Sequence, residues 1–163
     1  MSYGIKTVVD VRTIPKSRHN PQFNKDALTE SLKAVKIGYL HMTGLGGLRH
    51  ALKNSPNMGW RNASFRGFAD YMQTEEFQEN IEKLMDAAGK ETTVVMCAEA
   101  VPWRCHRSLI SDALSVSGVH IKHIIGAGSG KDHALTPWAK VNGNRIIYPP
   151  SSEPGKFEMI KIE

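Results

Sequence analysis

Short apolar runs alternate with longer amphipathic stretches along the chain. The runs at 5–12 (IKTVVDVR), 39–42, 92–98 (TTVVMCA) and 119–125 are rich in β-branched residues, as is typical of strands. The run at 92–98 is apolar at almost every position, which favours a strand covered on both faces at the centre of a parallel sheet. The pattern therefore predicts four strands.

Three stretches with the apolar period of a helix separate these runs. Asn24 is placed to cap a helix over 24–36. The apolar pattern of 65–88 breaks near Thr74, which indicates two helices or one interrupted helix. A further helix is expected over 102–117, where a proline begins the pattern and a glycine follows it.

The last forty or so residues carry weaker signals. Three glycines between 126 and 130 predict a loop. The segments 144–148 and 157–162 have extended character, and we expect them to pair as a terminal hairpin.

The order β-α-β-α-β-α-β predicts an α/β fold. We expect a single three-layer domain over 1–163, with a mostly parallel central sheet flanked by helices, because 163 residues suit one domain. Residues 43–64 form a long basic, glycine-containing loop. Loops of this length are usually functional or disordered.

Composition narrows the class of protein. Hydrophobic residues at 40% and charged residues at 23% are ordinary globular values, which exclude a collagen-like or wholly disordered chain. No apolar run is long enough for a membrane span, and no secretory signal is evident near residue 1, so we expect a cytoplasmic protein without a membrane partner. Cys97 and Cys105 are then expected to be reduced thiols.

Positive charge is concentrated in the first part of the chain. Residues 1–66 hold 11 Lys/Arg against 3 Asp/Glu, although the whole chain carries only +5. Such a field attracts anionic partners such as phosphate or nucleic acid, whereas the alternative is a solvated basic face.

Polar residues follow the predicted strands where the strands end. In a parallel sheet those ends share one edge, and ligands bind there. The residues expected at this edge are Asp10, Arg12, His41, Cys97, Glu99 and His123.

The segment CAEAVPWRCHRS at 97–108 is the richest in reactive side chains. Cys97 ends a strand, and residues 104–107 are expected in the first turn of the next helix. Free N–H groups and the helix dipole favour an anion there, so Cys105 is a candidate thiolate with a lowered pKa. Alternatively, both cysteines are small buried apolar residues. Glu99 is either a helix cap or ion-pair partner, or a general acid or base.

Three other interpretations use the same residues. The phosphatase and rhodanese pattern needs five residues between Cys and Arg, but six separate Cys97 from Arg104. Zinc could be held by Cys97, Cys105 and His106 with one further histidine, although paired C-x-x-C spacing is absent. A dithiol switch formed by the two cysteines is the third.

Two further segments are candidates for binding. In DVRTIPKSR at 10–18, Asp10 and Arg12 form either a structural ion pair or a carboxylate beside an anion clamp, and Ser17 and Arg18 extend the polar surface. The segment GLGGLR at 44–49 has the glycines of a phosphate loop without its G-K-[ST] ending.

Aromatic and basic residues are interleaved just beyond that loop. Arg49, Arg61 and Arg66 alternate with Trp60 and Phe65. This pattern is a candidate stacking surface for nucleic-acid bases, and the alternative is an ordinary core and rim.

Together these segments resemble a known family. DVRTIPKSR, GLGGLR, WRNASFRGFADYMQTEEF, CAEAVPWRCHRSLISDAL and HALTPWAKVNGNRIIYPP, in this order, are similar to the prokaryotic family called domain of unknown function 488. The resemblance implies that the polar residues form one site in an α/β protein, and it implies no particular reaction.

The leading hypothesis is an enzyme with an anionic, phosphate-bearing or nucleic-acid substrate. The candidate catalytic residues are Cys97, Glu99, Cys105, His106 and Asp10, and the candidate substrate-binding residues are Arg12, Ser17, Arg18, Gly46, Gly47, Arg49 and Arg107. The alternatives are a non-catalytic nucleic-acid-binding module and a metal-binding hydrolase or sensor. The residues indicate no particular cofactor, and no protein partner.

Overall fold

The computed structural model describes residues 2–151 and contains a three-stranded parallel sheet. Its strands are β1 (Thr7–Asp10), β2 (Gly38–His41) and β3 (Thr93–Met96), in the order β2-β1-β3. The expectation that the strand within 92–98 is central is therefore wrong. The central strand is β1, and each of its residues is buried.

The register of the sheet brings the three strand ends level. Asp10, the last residue of β1, pairs with His41 of β2 and Met96 of β3. Backbone bonds continue the pairing beyond the strands, from Val11 N to Met96 O (2.9 Å) and from Met42 N to Asp10 O (2.9 Å). The segments that follow β1, β2 and β3 consequently leave the sheet at one edge.

Four α-helices lie within residues 2–151: α1 (Lys25–Ala34), α2 (Ala63–Tyr71), α3 (Glu75–Lys90) and α4 (Arg107–Val116). The expected break near Thr74 is confirmed, because Thr74 Oγ1 accepts a hydrogen bond from Phe77 N and caps α3. The Asn24 side chain precedes α1 but accepts from Ser17 N (2.7 Å) instead of capping the helix. The three-layer arrangement stays a prediction.

The core lies between the sheet and helices α2, α3 and α4. The burial of apolar side chains in this core is the main source of the stability of the fold. Its largest fully buried apolar side chains are Tyr148, Phe68, Phe77, Leu45, Leu84, Leu109, Ile110 and Ile146. None of the helices in residues 2–151 combines the length and apolar character needed to cross a bilayer.

The helix expected over 102–117 begins later than the sequence suggests. Residues Pro102–Arg104 form a 3₁₀ helix, Cys105 is extended, and α4 starts at Arg107. Cys105 and His106 therefore lie before the helix, where their side chains are free to turn toward the end of β3.

The expected fourth strand does not join the parallel sheet. β4 (Lys122–Gly126) pairs antiparallel with β5 (Ser129–Asp132), across a turn in which Gly128 has φ +80°. This positive φ suits glycine, which explains why the glycine-rich segment forms a hairpin and not an open loop. A cavity of about 310 Å³, lined by both Val95 and His123, lies between β3 and β4.

The segment 144–148, expected in a terminal hairpin, pairs with a different strand. β6 (Lys140–Asn142) pairs antiparallel with β7 (Arg145–Ile147), and Gly143 at the turn has φ +59°. The segment 157–162, expected to pair with 144–148, lies outside the described residues.

A buried carboxylate holds the long loop against α2. Asp70 accepts hydrogen bonds from Leu52 N (2.8 Å), Ser55 Oγ (2.6 Å) and Asn57 Nδ2 (2.8 Å). Asn57 Oδ1 in turn accepts from Tyr148 N (2.8 Å), so one network joins the loop, α2 and the segment after β7.

We expect Asp70→Ala to lower the free energy of unfolding by about 3 kcal/mol, because it removes the acceptor of three loop donors. Urea denaturation followed by circular dichroism measures the change. Asp86→Ala, at an exposed position of α3, is the matched control and is expected to change it by less than about 0.5 kcal/mol. Equal effects for the two variants would contradict the anchoring role.

Candidate active site

The end of β1 carries a buried ion pair. Arg12 donates from Nε to both carboxylate oxygens of Asp10 (2.9 and 3.0 Å) and from Nη2 to Oδ2 (2.5 Å). Tyr39 on β2 donates its hydroxyl to the same Oδ2 at 2.7 Å, and His41 Nε2 donates to Arg12 O at 2.8 Å. These contacts hold Arg12 in one orientation at the sheet edge.

The ion pair shifts the proton affinity of its members. Burial alone raises the pKa of Asp10, but the hydrogen bonds from Arg12 and Tyr39 outweigh it, so the pKa lies below its ordinary value. Burial, and then the neighbouring Asp10 carboxylate, raise the pKa of Tyr39 to about 12. Asp10 is thus a carboxylate that positions Arg12.

Two thiols and one imidazole meet where β3 ends. Cys97 directly follows β3, and the extended backbone at Cys105 returns the chain to it. His106 Nδ1 lies 3.7 Å from Cys105 Sγ and 4.0 Å from Cys97 Sγ. The two thiols are eight residues apart in the sequence, and the turn over 102–104 brings them together in space.

The long loop fixes the orientation of the His106 ring. His106 Nε2 lies 3.0 Å from the carbonyl oxygen of Leu45, which can only accept, so Nε2 carries a proton. The ring also packs on Phe68, with centroids 4.9 Å apart. In neutral His106 the lone pair is therefore on Nδ1, facing the two sulfurs.

The glycines of GLGGLR make room for this arrangement. A Cβ at Gly47 would lie 2.5 Å from His106 Nδ1, and one at Gly46 would lie 2.4 Å from Thr13 Oγ1. Both distances are far below van der Waals contact. The two glycines accordingly allow the loop to approach the imidazole and the segment after β1.

The pKa values of the two thiols are shifted in opposite directions. Hydrogen bonding from Cys97, and then from His106 and Arg107 N, lowers the pKa of Cys105 despite its burial. Hydrogen bonding to Cys105 and burial raise the pKa of Cys97. Within the pair, the surroundings thus favour the thiolate on Cys105, with Cys97 as the hydrogen-bond donor.

These groups border a cavity of about 330 Å³ that we call the thiol pocket. It is lined by Arg12, Thr13, Ile14, Gly47, Leu48, Ser64, Phe65, Cys97, Ala98, Glu99, Arg104, Cys105 and His106. The expected convergence of the segments after β1 and β3 with the glycine loop is present. The sequence pattern gives no signal for Thr13 or Ser64, and it predicts Phe65 at a stacking surface and Arg104 in an anion-binding turn without assigning either to substrate binding.

Several candidate binding residues point elsewhere. Arg49 donates to Gly46 O (3.2 Å) and Gly44 O (3.1 Å) and covers the Tyr71 ring at 3.5 Å. Arg107 donates its Nη2 to Glu99 O, so its backbone N–H, and not its guanidinium, faces Cys105 (3.5 Å).

The segment before α1 is also apart from the pocket. Ser17 Oγ accepts from Asn20 N (3.1 Å) and Ser17 N donates to Asn24, while Arg18 is exposed. Neither lines the thiol pocket. His123, expected at the same edge, lies in β4 instead.

The match to a family model decides the relationship of this chain to known proteins. The model described as Domain of unknown function DUF488 matches residues 1–114. The chain belongs to the DUF488 family. No curated protein and no solved structure matches it.

The matched residues of this DUF488 protein contain the whole thiol pocket. They end within α4, so β4 to β7 follow the matched range. The resemblance suggested by HALTPWAKVNGNRIIYPP at 133–150 lies beyond it.

We expect Gly47→Ala in this DUF488 protein to displace the His106 ring, because the new methyl group occupies the space beside Nδ1. The loss of the bond to Leu45 O should lower the free energy of unfolding by about 2 kcal/mol. It should also shift the His106 imidazole resonances. Gly89→Ala, where a Cβ meets no atom within 4 Å, should leave the His106 resonances unchanged and, because alanine favours the helix, should not lower the free energy of unfolding.

Proposed function

We propose that this protein is an enzyme that binds an anionic substrate in the thiol pocket and attacks it with the Cys105 thiolate. The observation that carries the proposal is the set of groups around Cys105 Sγ: the Cys97 thiol, the Arg107 N–H at 3.5 Å, and His106 Nδ1 at 3.7 Å, which donates when the imidazole is doubly protonated. Donors that stabilise a thiolate beside a cavity are the usual requirement for a cysteine nucleophile.

The arginines on the pocket wall supply the attraction for an anion. Arg104 has no side-chain partner among residues 2–151, and Arg12 is held in place by Asp10. A phosphate or carboxylate group between them gains charge-assisted hydrogen bonds. The basic first 66 residues add a field that draws anions toward this face.

The proposed step is a nucleophilic displacement by the Cys105 sulfur at an electrophilic atom of the substrate. The Cys105 thiolate forms a bond to the electrophilic atom of the substrate, and the bond from that atom to the leaving group breaks with its electron pair. His106, when doubly protonated, gives its Nδ1 proton to the leaving group. Glu99 at the pocket rim is the candidate base for the water that then releases the covalent intermediate.

Alkylation by iodoacetamide tests the thiolate. With its lowered pKa, Cys105 should react at a rate that stays nearly constant from pH 6 to pH 9, measured by mass spectrometry of the labelled peptide. An ordinary thiol changes its rate about tenfold per pH unit below its pKa of about 8.5. A Cys105 rate that rises in that ordinary way would exclude the proposal.

A matched pair of variants isolates the contribution of Cys97. Cys97→Ser retains a hydroxyl donor, whereas Cys97→Ala removes the donor. We expect the alkylation midpoint of Cys105 to move to higher pH in Cys97→Ala than in Cys97→Ser, because the largest cause of the lowered pKa is this hydrogen bond. The same midpoint in both variants would assign the stabilisation to His106 and Arg107 N alone.

A second candidate function is supported by the ligand geometry. The Sγ atoms of Cys97 and Cys105 and the Nδ1 atom of His106 all lie within 4.8 Å of one another. Tetrahedral zinc, with sulfur at about 2.3 Å and nitrogen at about 2.0 Å, separates such ligands by about 3.5–3.8 Å. The bond from His106 Nε2 to Leu45 O leaves Nδ1 unprotonated, as a ligand must be.

Elemental analysis of the purified protein separates the two candidates. A metal centre predicts about one equivalent of zinc, slow alkylation of both cysteines, and faster alkylation after chelation. A free thiolate predicts a metal content near zero and alkylation that a chelator leaves unchanged. Cys105→Ser should abolish metal retention in the first case.

A further inference from the structure

A second cavity lies on the other side of the turn between Cys97 and Cys105. It has a volume of about 300 Å³, within the lower range for small-ligand sites, and we call it the aromatic pocket. Its walls include the three tryptophans of the chain, Trp60, Trp103 and Trp138, together with His123 and Lys131.

Two of the three indoles are exposed at this pocket. Trp103 is 61% and Trp138 38% exposed, whereas large aromatic residues are usually well covered. Trp60 packs edge-on against Trp138, with ring centroids 5.1 Å apart, and this contact helps to hold the Trp138 ring in place. Flat apolar walls with open faces favour a planar, aromatic ligand.

A chain of hydrogen bonds determines which ring nitrogen of His123 is protonated. The Asp112 carboxylate, fully buried, accepts from His133 Nε2 at 2.8 Å. In neutral His133, Nδ1 must then accept, and it takes the proton of His123 Nε2 at 2.8 Å. His123 Nδ1 is left with a lone pair and without a partner among the described residues.

The surroundings of His123 favour its uncharged form. Burial, followed by the electrostatic influence of His133, Arg107 and Lys131, lowers the pKa of His123. Asp112 also accepts from Tyr148 OH (2.8 Å) and Thr136 Oγ1 (2.7 Å), which fixes the carboxylate that orients both imidazoles. The aromatic pocket therefore combines stacking surfaces with an imidazole nitrogen that can accept a hydrogen bond.

The two pockets share a wall. Trp60 lines the aromatic pocket and Phe65 lines the thiol pocket, and their rings pack with centroids 4.9 Å apart. Trp103 and Arg104 are consecutive residues of the same turn, and Trp103 lines the aromatic pocket while Arg104 lines the thiol pocket. A ligand with a flat ring beside an anionic group matches this pair of cavities.

We infer that the substrate class is a nucleotide, with its base in the aromatic pocket and its phosphate directed toward the thiol pocket. This inference rests on the proposed function for the role of the phosphate end. The base supplies a planar face to Trp103 and Trp138 and an N–H group to His123 Nδ1. A nucleotide is favoured over an aromatic peptide side chain because the adjoining pocket has arginines that suit a phosphate.

Isothermal titration calorimetry of the full chain with AMP, CMP, adenosine and inorganic phosphate tests the inference. We expect a nucleotide to bind more tightly than adenosine or phosphate, because each of these fills one pocket only. Absence of AMP, CMP and adenosine binding at 10 mM would overturn the assignment. Tighter binding of N-acetyltryptophanamide than of either nucleotide would replace it with a peptide ligand.

Substitutions locate the base. Trp103→Ala should weaken nucleotide binding about tenfold or more, since stacking of one base on one aromatic ring contributes about that much. His123→Phe, which keeps a ring and removes the acceptor, should weaken it about tenfold. Phe23→Ala removes an aromatic residue that is 46% exposed and lies in neither pocket lining, so it should leave binding unchanged.

These outcomes are separable from those of the proposed function. Nucleotide binding that survives Trp103→Ala and His123→Phe together would overturn the base site, whatever the alkylation profile of Cys105. Conversely, an ordinary pH dependence of Cys105 alkylation, combined with nucleotide binding that these variants weaken, would retain the base site and remove the thiolate mechanism.

Discussion

The imidazole of His106 joins three parts of the chain that are far apart in sequence. Its Nε2 atom holds the Leu45 carbonyl of the long loop, its ring face packs on Phe68 in α2, and its Nδ1 atom faces the sulfurs of Cys97 and Cys105. In the two proposed functions, this side chain either donates to a thiolate or lends its lone pair to a metal.

The local sequence pattern was sufficient to predict much of the fold and to identify the most reactive residues. The β-branched runs located β1 and β3, the apolar period located the helices, and Thr74 marked the break between α2 and α3. Cys97, Cys105 and His106 could be singled out because strand ends and nearby loops gather at one sheet edge.

The missed features arise from contacts between distant residues. Whether β4 pairs with β3 or with β5 depends on the turn at Gly128 and on what separates β4 from the sheet, and neither is encoded in the apolar run of β4 itself. Arg49 and Arg107 have the composition of an anion clamp, but backbone carbonyls and the Tyr71 ring take up their guanidiniums. Likewise, the glycines of the long loop resemble a phosphate cradle, yet their visible role is steric, since a methyl group at either would meet His106 or Thr13.

The cavity between β3 and β4 separates the β4–β5 hairpin from the parallel sheet. No strand ladder joins β4 to β3, and side-chain hydrogen bonds link the hairpin of β4 and β5 to α4: His123 bonds to His133, and His133 bonds to Asp112. The family match ends at residue 114, before this hairpin begins. The whole thiol pocket thus lies inside the matched range, whereas the aromatic pocket is built from both sides of its boundary, with Trp60 and Trp103 before residue 114 and His123 and Trp138 after it.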